Sequence, residues 1–242
     1  MPKKINVTIW NEEDNNQSAY PEGIHNALAS FLKTDQVNTL RTATLSQPEH
    51  GLTEEVLNDT DVLVWWAHLY HGKVDDAIIQ RVRQRVLQGM GLILLHSAHA
   101  SKIFEILLGT NVGRLRWREA DERERVWIIE HNHAITQGIG EYIEVPKSET
   151  YGEYFDIPVP DELICISWYE GGEVFRSGCT FRRGQGKIFY FSPGHESFRI
   201  YDMPQIQRVI QNAVGWAAPL SYPNIEADKH PVSPETMYKE KA

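Results

Sequence analysis

The stretch Gly89-Met90-Gly91-Leu92-Ile93-Leu94-Leu95-His96-Ser97-Ala98-His99 decides how this chain is read. From Gly91 to Leu95 every position is small or apolar, with no alternation, which is the pattern of a strand covered on both faces. Just before it, Val74, Ile78, Val82 and Val86 recur every four residues. Asp75 and Asp76 stand in the first turn and Gly89 is placed to close the segment, so Val74 to Gln88 reads as an amphipathic helix. After it, Ser97 to Leu108 reads as the next helix, with Ser97 as its cap. The strand therefore breaks sharply into a helix at His96. That geometry resembles a nucleophile elbow, which lifts its central side chain above the sheet.

Working outward, strand-like and helix-like segments alternate. Ile5 to Trp10, Val37 to Thr44 and Asp61 to Trp66 read as strands, and Pro21 to Lys33 as a helix with Ile24, Leu28, Phe31 and Leu32 on one face. Val126 to Glu130, Leu163 to Trp168, Val174 to Phe181 and Lys187 to Phe191 are further strands, the last two flanking a hairpin-like turn at Arg182 to Gly186. Arg114 to Arg125 interleaves five arginines with four acids and reads as a solvated, salt-bridged segment. Pro204 to Ala217 closes the series as a helix. The pattern predicts one α/β domain over residues 3–218, a mostly parallel sheet with helices on both faces, followed by an extended tail at 219–242.

Composition narrows the function. The chain has 242 residues, 24% of them charged, and a formal net charge of −9 with no long run of one sign, which argues against nucleic acid or an anionic membrane as partner. Apolar runs are too short to span a bilayer and no signal peptide is visible, so a cytoplasmic location is expected. Cys165 and Cys179 lie in apolar strand-like segments, with the spacing of neither a disulfide framework nor a thiol zinc site.

Five of the ten histidines follow predicted strands: His68 and His71 after 61–66, His96 and His99 after 91–95, and His195 after 187–191. In open parallel sheets the ligand crevice lies at those carboxyl ends, so these side chains can converge. Gathered neutral imidazoles suit a divalent ion, zinc first, with Glu196, Glu149 or Glu153 available as carboxylates. The alternative is that each histidine only packs or hydrogen-bonds, which is the reading given to His25, His50, His131, His133 and His230. Trp10, Tyr70, Tyr151 and Glu153 are candidate substrate-binding residues, set against the ordinary role of such aromatics in a core.

The stretch around His96, Glu149 to Pro158 and Gly186 to Glu196 together resemble the ThuA-like, or trehalose utilisation, family over about residues 3–218. The resemblance implies the class I glutamine amidotransferase-like, flavodoxin-like fold. Amidotransferases carry a cysteine at the elbow, where this chain has His96, so no thioester can form and glutaminase chemistry is not expected. The resemblance further implies a part in catabolising trehalose or a related disaccharide, in some organisms beside a dehydrogenase that makes 3-keto sugars. Three functions stay open. One is a metal-assisted enzyme on a sugar derivative, with His96, His195 and Glu196 moving protons; another is a non-catalytic sugar-binding or regulatory module; the third is a zinc hydrolase of an unrelated small substrate. A homo-oligomer is compatible with all three.

Overall fold

A computed structural model describes residues 4–13, 18–111 and 115–219; the expected tail, His230 included, falls outside them apart from Pro219. Nine strands form one sheet in the order β2-β1-β3-β4-β9-β8-β7-β5-β6. They are β1 (Ile5–Asn11), β2 (Val37–Thr44), β3 (Val62–Trp66), β4 (Gly91–Leu95), β5 (Arg116–Ile128), β6 (Tyr142–Gly152), β7 (Glu162–Tyr169), β8 (Val174–Arg183) and β9 (Gly186–Phe191). The five helices are α1 (Ile24–Leu32), α2 (Glu54–Asn58), α3 (Asp76–Leu87), α4 (Lys102–Leu108) and α5 (Pro204–Ala217).

Strands β3 and β4 pair in parallel, Val62 opposite Gly91 through Trp66 opposite Leu95, and every residue in both is buried. Helices α1 and α5 share one apolar cluster with Val64, Trp66, Ile93 and Leu95. Helices α2, α3 and α4 share the other with Leu63, Trp65, Leu92 and Leu94. The uninterrupted apolar runs thus follow from cover on both faces. Gly91 lies so close to α5 that an added Cβ would sit 2.5 Å from the Ala217 carbonyl oxygen.

The expectation of a mostly parallel, flavodoxin-like sheet is overturned. The sheet is mixed: β2, β1, β3, β4 and β9 pair in parallel, while β9, β8, β7, β5 and β6 pair antiparallel, and the antiparallel strands include the longest. The cause is in the connections. Parallel neighbours need a crossover of a dozen residues or more, usually a helix, whereas short turns dictate antiparallel pairing. Among the described residues no α-helix occurs between Leu108 and Pro204, and β8 reaches β9 through Gly184 and Gln185 alone. The segment read as solvated, 114–125, is mostly β5; it carries the expected ion pairs, Arg118 with Glu122 and Arg123 with Glu144, and is exposed toward its start, but Glu124 in its far half is buried. Among the described residues, no helix is long and apolar enough to cross a membrane.

Candidate metal and ligand site

The turn at the end of β4 is strained as an elbow is: His96 has φ +55°, in the left-handed region that side chains with a Cβ seldom adopt. A 3₁₀ turn over His96–Ala100 follows, and α4 begins only at Lys102. Its cap is therefore Ser101, whose hydroxyl accepts the Phe104 N–H, and not Ser97 as the spacing predicts. Ser97 instead shares a hydrogen bond of 2.8 Å with the Tyr151 hydroxyl.

His68 stands just past β3. The loop that carries it is clamped by the buried carboxylate of Glu12, which accepts the backbone N–H groups of Leu69 at 2.5 Å and Tyr70 at 3.0 Å. His195 and Glu196 follow β9, and Glu149 and Tyr151 come from β6. The rings of His68, His96 and His195 meet with centroids 5.4–6.1 Å apart. His96 Nε2 is 3.6 Å from Glu149 Oε2 and 3.9 Å from Glu196 Oε2, while His68 Nε2 is 3.7 Å from Glu196 Oε1. Three groups have ligand atoms within 4.8 Å of one another: His68, His96 and Glu196; His96, Glu149 and His195; Glu119, His195 and Glu196.

Hydrogen bonds divide the histidines by role. The Tyr151 hydroxyl donates to Glu149 Oε2 at 2.6 Å, so its oxygen is left to accept from the Nδ1 side of His96, 3.4 Å away. A proton on Nδ1 leaves the Nε2 of His96 as a lone pair, and that atom is buried with no hydrogen-bond partner among the described residues. Burial, reinforced by the neighbouring His195, His68 and His99, holds this ring far below the usual imidazole range, so it is neutral. His195 is the reverse case. Its Nδ1 accepts the Ser197 N–H at 3.0 Å, which places the proton of the neutral ring on the buried Nε2, 3.9 Å from Glu119 Oε1. Burial, helped by the charge of His68, takes His195 down to about 4. Burial also raises the Glu149 carboxyl to about 7, with Glu196 and Glu119 adding to the rise against the hydrogen bond from Tyr151.

A cavity of about 310 Å³ opens over this floor, lined by His68, His71, His99, Glu149 and Tyr151 among others. His71 and His99 reach the cavity but lie outside the three ligand groups. His99 Nδ1 faces the His96 carbonyl at 3.3 Å and the Tyr190 hydroxyl at 3.0 Å. Burial lowers His71 to about 4 and His99 to about 3. Three of the candidate substrate-binding residues are placed elsewhere. Trp10 is wholly buried, stacked on Trp65 at 3.9 Å. Tyr70 lies under the Lys73 ammonium, and Glu153 is bound to the Arg176 guanidinium at 2.8 Å and 3.0 Å. Tyr151 alone of the four lines the cavity. The thiols lie in β7 and β8, both buried.

The reading from sequence passes over Leu115, Trp117 and Glu119, which line the cavity from the start of β5. Their signal is present as alternation, Leu115-Arg116-Trp117-Arg118-Glu119, hidden by the mixed charges around it.

With this geometry in view, comparison with known proteins is decisive for kinship. The family model described as ThuA, trehalose utilisation, matches residues 6–217. The chain belongs to the ThuA family. Solved structures agree in fold. A ThuA-like protein of Parabacteroides merdae is 12% identical with a TM-score of 0.69, over 92% of this chain and 94% of that one. A ThuA-like protein of Bacteroides uniformis is 14% identical with a TM-score of 0.63, over 89% and 92%. A cytoplasmic protein of Salmonella typhimurium is 12% identical with a TM-score of 0.58, over 89% and 100%. At these identities the likeness of this ThuA-family chain to each is one of fold. No curated protein matches the sequence.

Proposed function

We propose that this ThuA-family chain is a cytoplasmic, metal-dependent enzyme acting on trehalose or a keto-sugar made from it. The observation that carries the metal is the buried, partnerless Nε2 of His96, a lone pair set against the carboxylate oxygens of Glu149 and Glu196. Like partial charges so arranged in a dry site repel one another unless a cation stands between them. His68, His96 and Glu196 form a two-histidine, one-carboxylate set of the kind that would suit zinc, and His68 also lines the cavity. Tetrahedral ligands at about 2.1 Å lie about 3.4 Å from one another. In this set one ligand atom from each residue lies within 4.8 Å of the others, so the side chains need to draw together by up to about 1.4 Å around an ion.

A zinc ion held there would supply a Lewis acid for a keto or hydroxyl oxygen. The remaining groups handle protons and orientation. Glu149 faces the cavity with Tyr151 fixing one oxygen, placing the other to take or return a proton at the sugar. His195, neutral near pH 7, directs its Nε2–H toward Glu119, which lines the cavity, as an uncharged donor beside the ligand set. Assigning a sugar follows from the family described as trehalose utilisation.

The test begins with elemental analysis of protein purified without a polyhistidine tag. Zinc should be present in wild type and His195→Ala and absent from His96→Ala. Calorimetry with trehalose and 3-keto-trehalose follows on the metal-loaded protein, with turnover of either sugar read by chromatography. Binding without turnover would favour a binding module, and binding of neither would favour a hydrolase of another substrate.

A further inference from the structure

The cavity lining is part apolar and part polar. Leu69, Leu115 and Trp117 give it an apolar wall, and His68, His99 and Glu149 supply polar groups. Leu115, Trp117 and Glu119 stand two residues apart and all face the cavity, as one side of an extended strand does. Of the seven tryptophans Trp117 alone is exposed, at 64%; Trp10, Trp65 and Trp66 are wholly buried and the rest half-buried. Its backbone position is fixed. Trp117 pairs with Tyr151 across the β5–β6 ladder, and the next residue, Arg118, turns away to bind Glu122 and Glu173, each at 2.8 Å. A large indole left in water in the lining of a cavity has given up burial that a core position would have provided.

We infer that Trp117 is a specificity-determining residue, whose ring face receives the C–H face of the sugar unit farther from the metal-ligand set. A pyranose ring with equatorial hydroxyls is flat and apolar on its faces and polar at its edge. The electron-rich indole face attracts the former, while His68, Glu149 and Glu119 can serve hydroxyls. On this inference the site prefers a two-ring glycoside over a single ring, the second ring being the one that meets Trp117. This inference rests on the sugar reading above, and the experiment separates the two.

Metal-loaded wild type, Trp117→Phe and Trp117→Ala are titrated with trehalose and with glucose by calorimetry, with acrylamide quenching of indole emission as a second readout. Trehalose is expected to shield the exposed indole of wild type. Trp117→Ala should weaken trehalose binding about tenfold, with Trp117→Phe retaining most of it. Glucose affinity, zinc content and thermal midpoint should stay as in wild type. Equal loss for both sugars, or unchanged trehalose affinity in Trp117→Ala, overturns the role of Trp117 and leaves the sugar reading standing. A wild type that binds neither sugar overturns both. Loss of self-association in Trp117→Ala at unchanged sugar affinity overturns the inference in favour of a second copy of the chain over this wall.

Discussion

Replacing Glu149 by Gln in the metal-free protein probes the electrostatics of the site through stability. The Glu149 carboxyl titrates at about 7 in the fold against 4.5 ordinarily, so between those values the folded chain holds a proton that the unfolded chain has released. Stability must then fall as pH rises through this window, by about 3 kcal/mol in all, the worth of the shift by linkage. Gln carries no charge to bury. Its oxygen still accepts the Tyr151 hydroxyl. In urea titrations with EDTA, Glu149→Gln should match wild type near pH 4.5 and exceed it by up to about 3 kcal/mol at pH 8. With zinc restored, the variant should keep the metal and lose sugar turnover, the exchange of activity for stability common at catalytic residues. A stability difference that does not change with pH, or a less stable variant at pH 8, refutes the reasoning.

Acid should unfold the metal-free protein early. His71, His195 and His99 titrate at about 4, 4 and 3 when folded, whereas the unfolded rings protonate near 6.5, so stability is full above that value and is lost as pH falls below it. Circular dichroism during acid titration checks this, and no stability loss by pH 4 counts against it. His68→Ala and His96→Ala should each lose zinc by elemental analysis, whereas His99→Phe should keep it, since His99 lies outside the ligand groups. Ser101→Ala should cost about 1 kcal/mol in urea unfolding as a lost helix cap, with zinc affinity unchanged. Gly91→Ala should cost about 1–3 kcal/mol or prevent folding, because its Cβ would press on the Ala217 carbonyl.

How much the sequence discloses depends on how local each determinant is. The run Gly91 to Leu95 announces a doubly covered strand, and the parallel partnership with Val62 to Trp66 follows from two such runs separated by one helix. Convergence of His68, His96 and His195 is legible for the same reason, since carboxyl ends of neighbouring parallel strands share an edge. The antiparallel half is not read so easily. Strand β6 alternates weakly and carries Pro146, which is tolerated at the sheet edge but argues against a strand when seen alone. Missing β6 hides the register that sets Trp117 opposite Tyr151, and with it the reason Glu149 faces His96. Trp10 fails as a ligand residue through a face error of the opposite kind, because alternation along β1 turns it into the core instead of toward the histidines.

The junction at β9, where parallel pairing on one side meets antiparallel pairing on the other, has a consequence for the order of assembly. His68 and His96 come from the half whose crossovers can form from nearby sequence, while Glu196 follows the last strand and Glu149 belongs to a hairpin folded from the opposite end of the sheet. No fragment lacking β9 can complete the ligand set, so zinc affinity should emerge late in refolding, after the slow long-range pairings are made. An ion captured at that stage would act as a latch, adding its binding energy to the finished molecule and none to a half-built one.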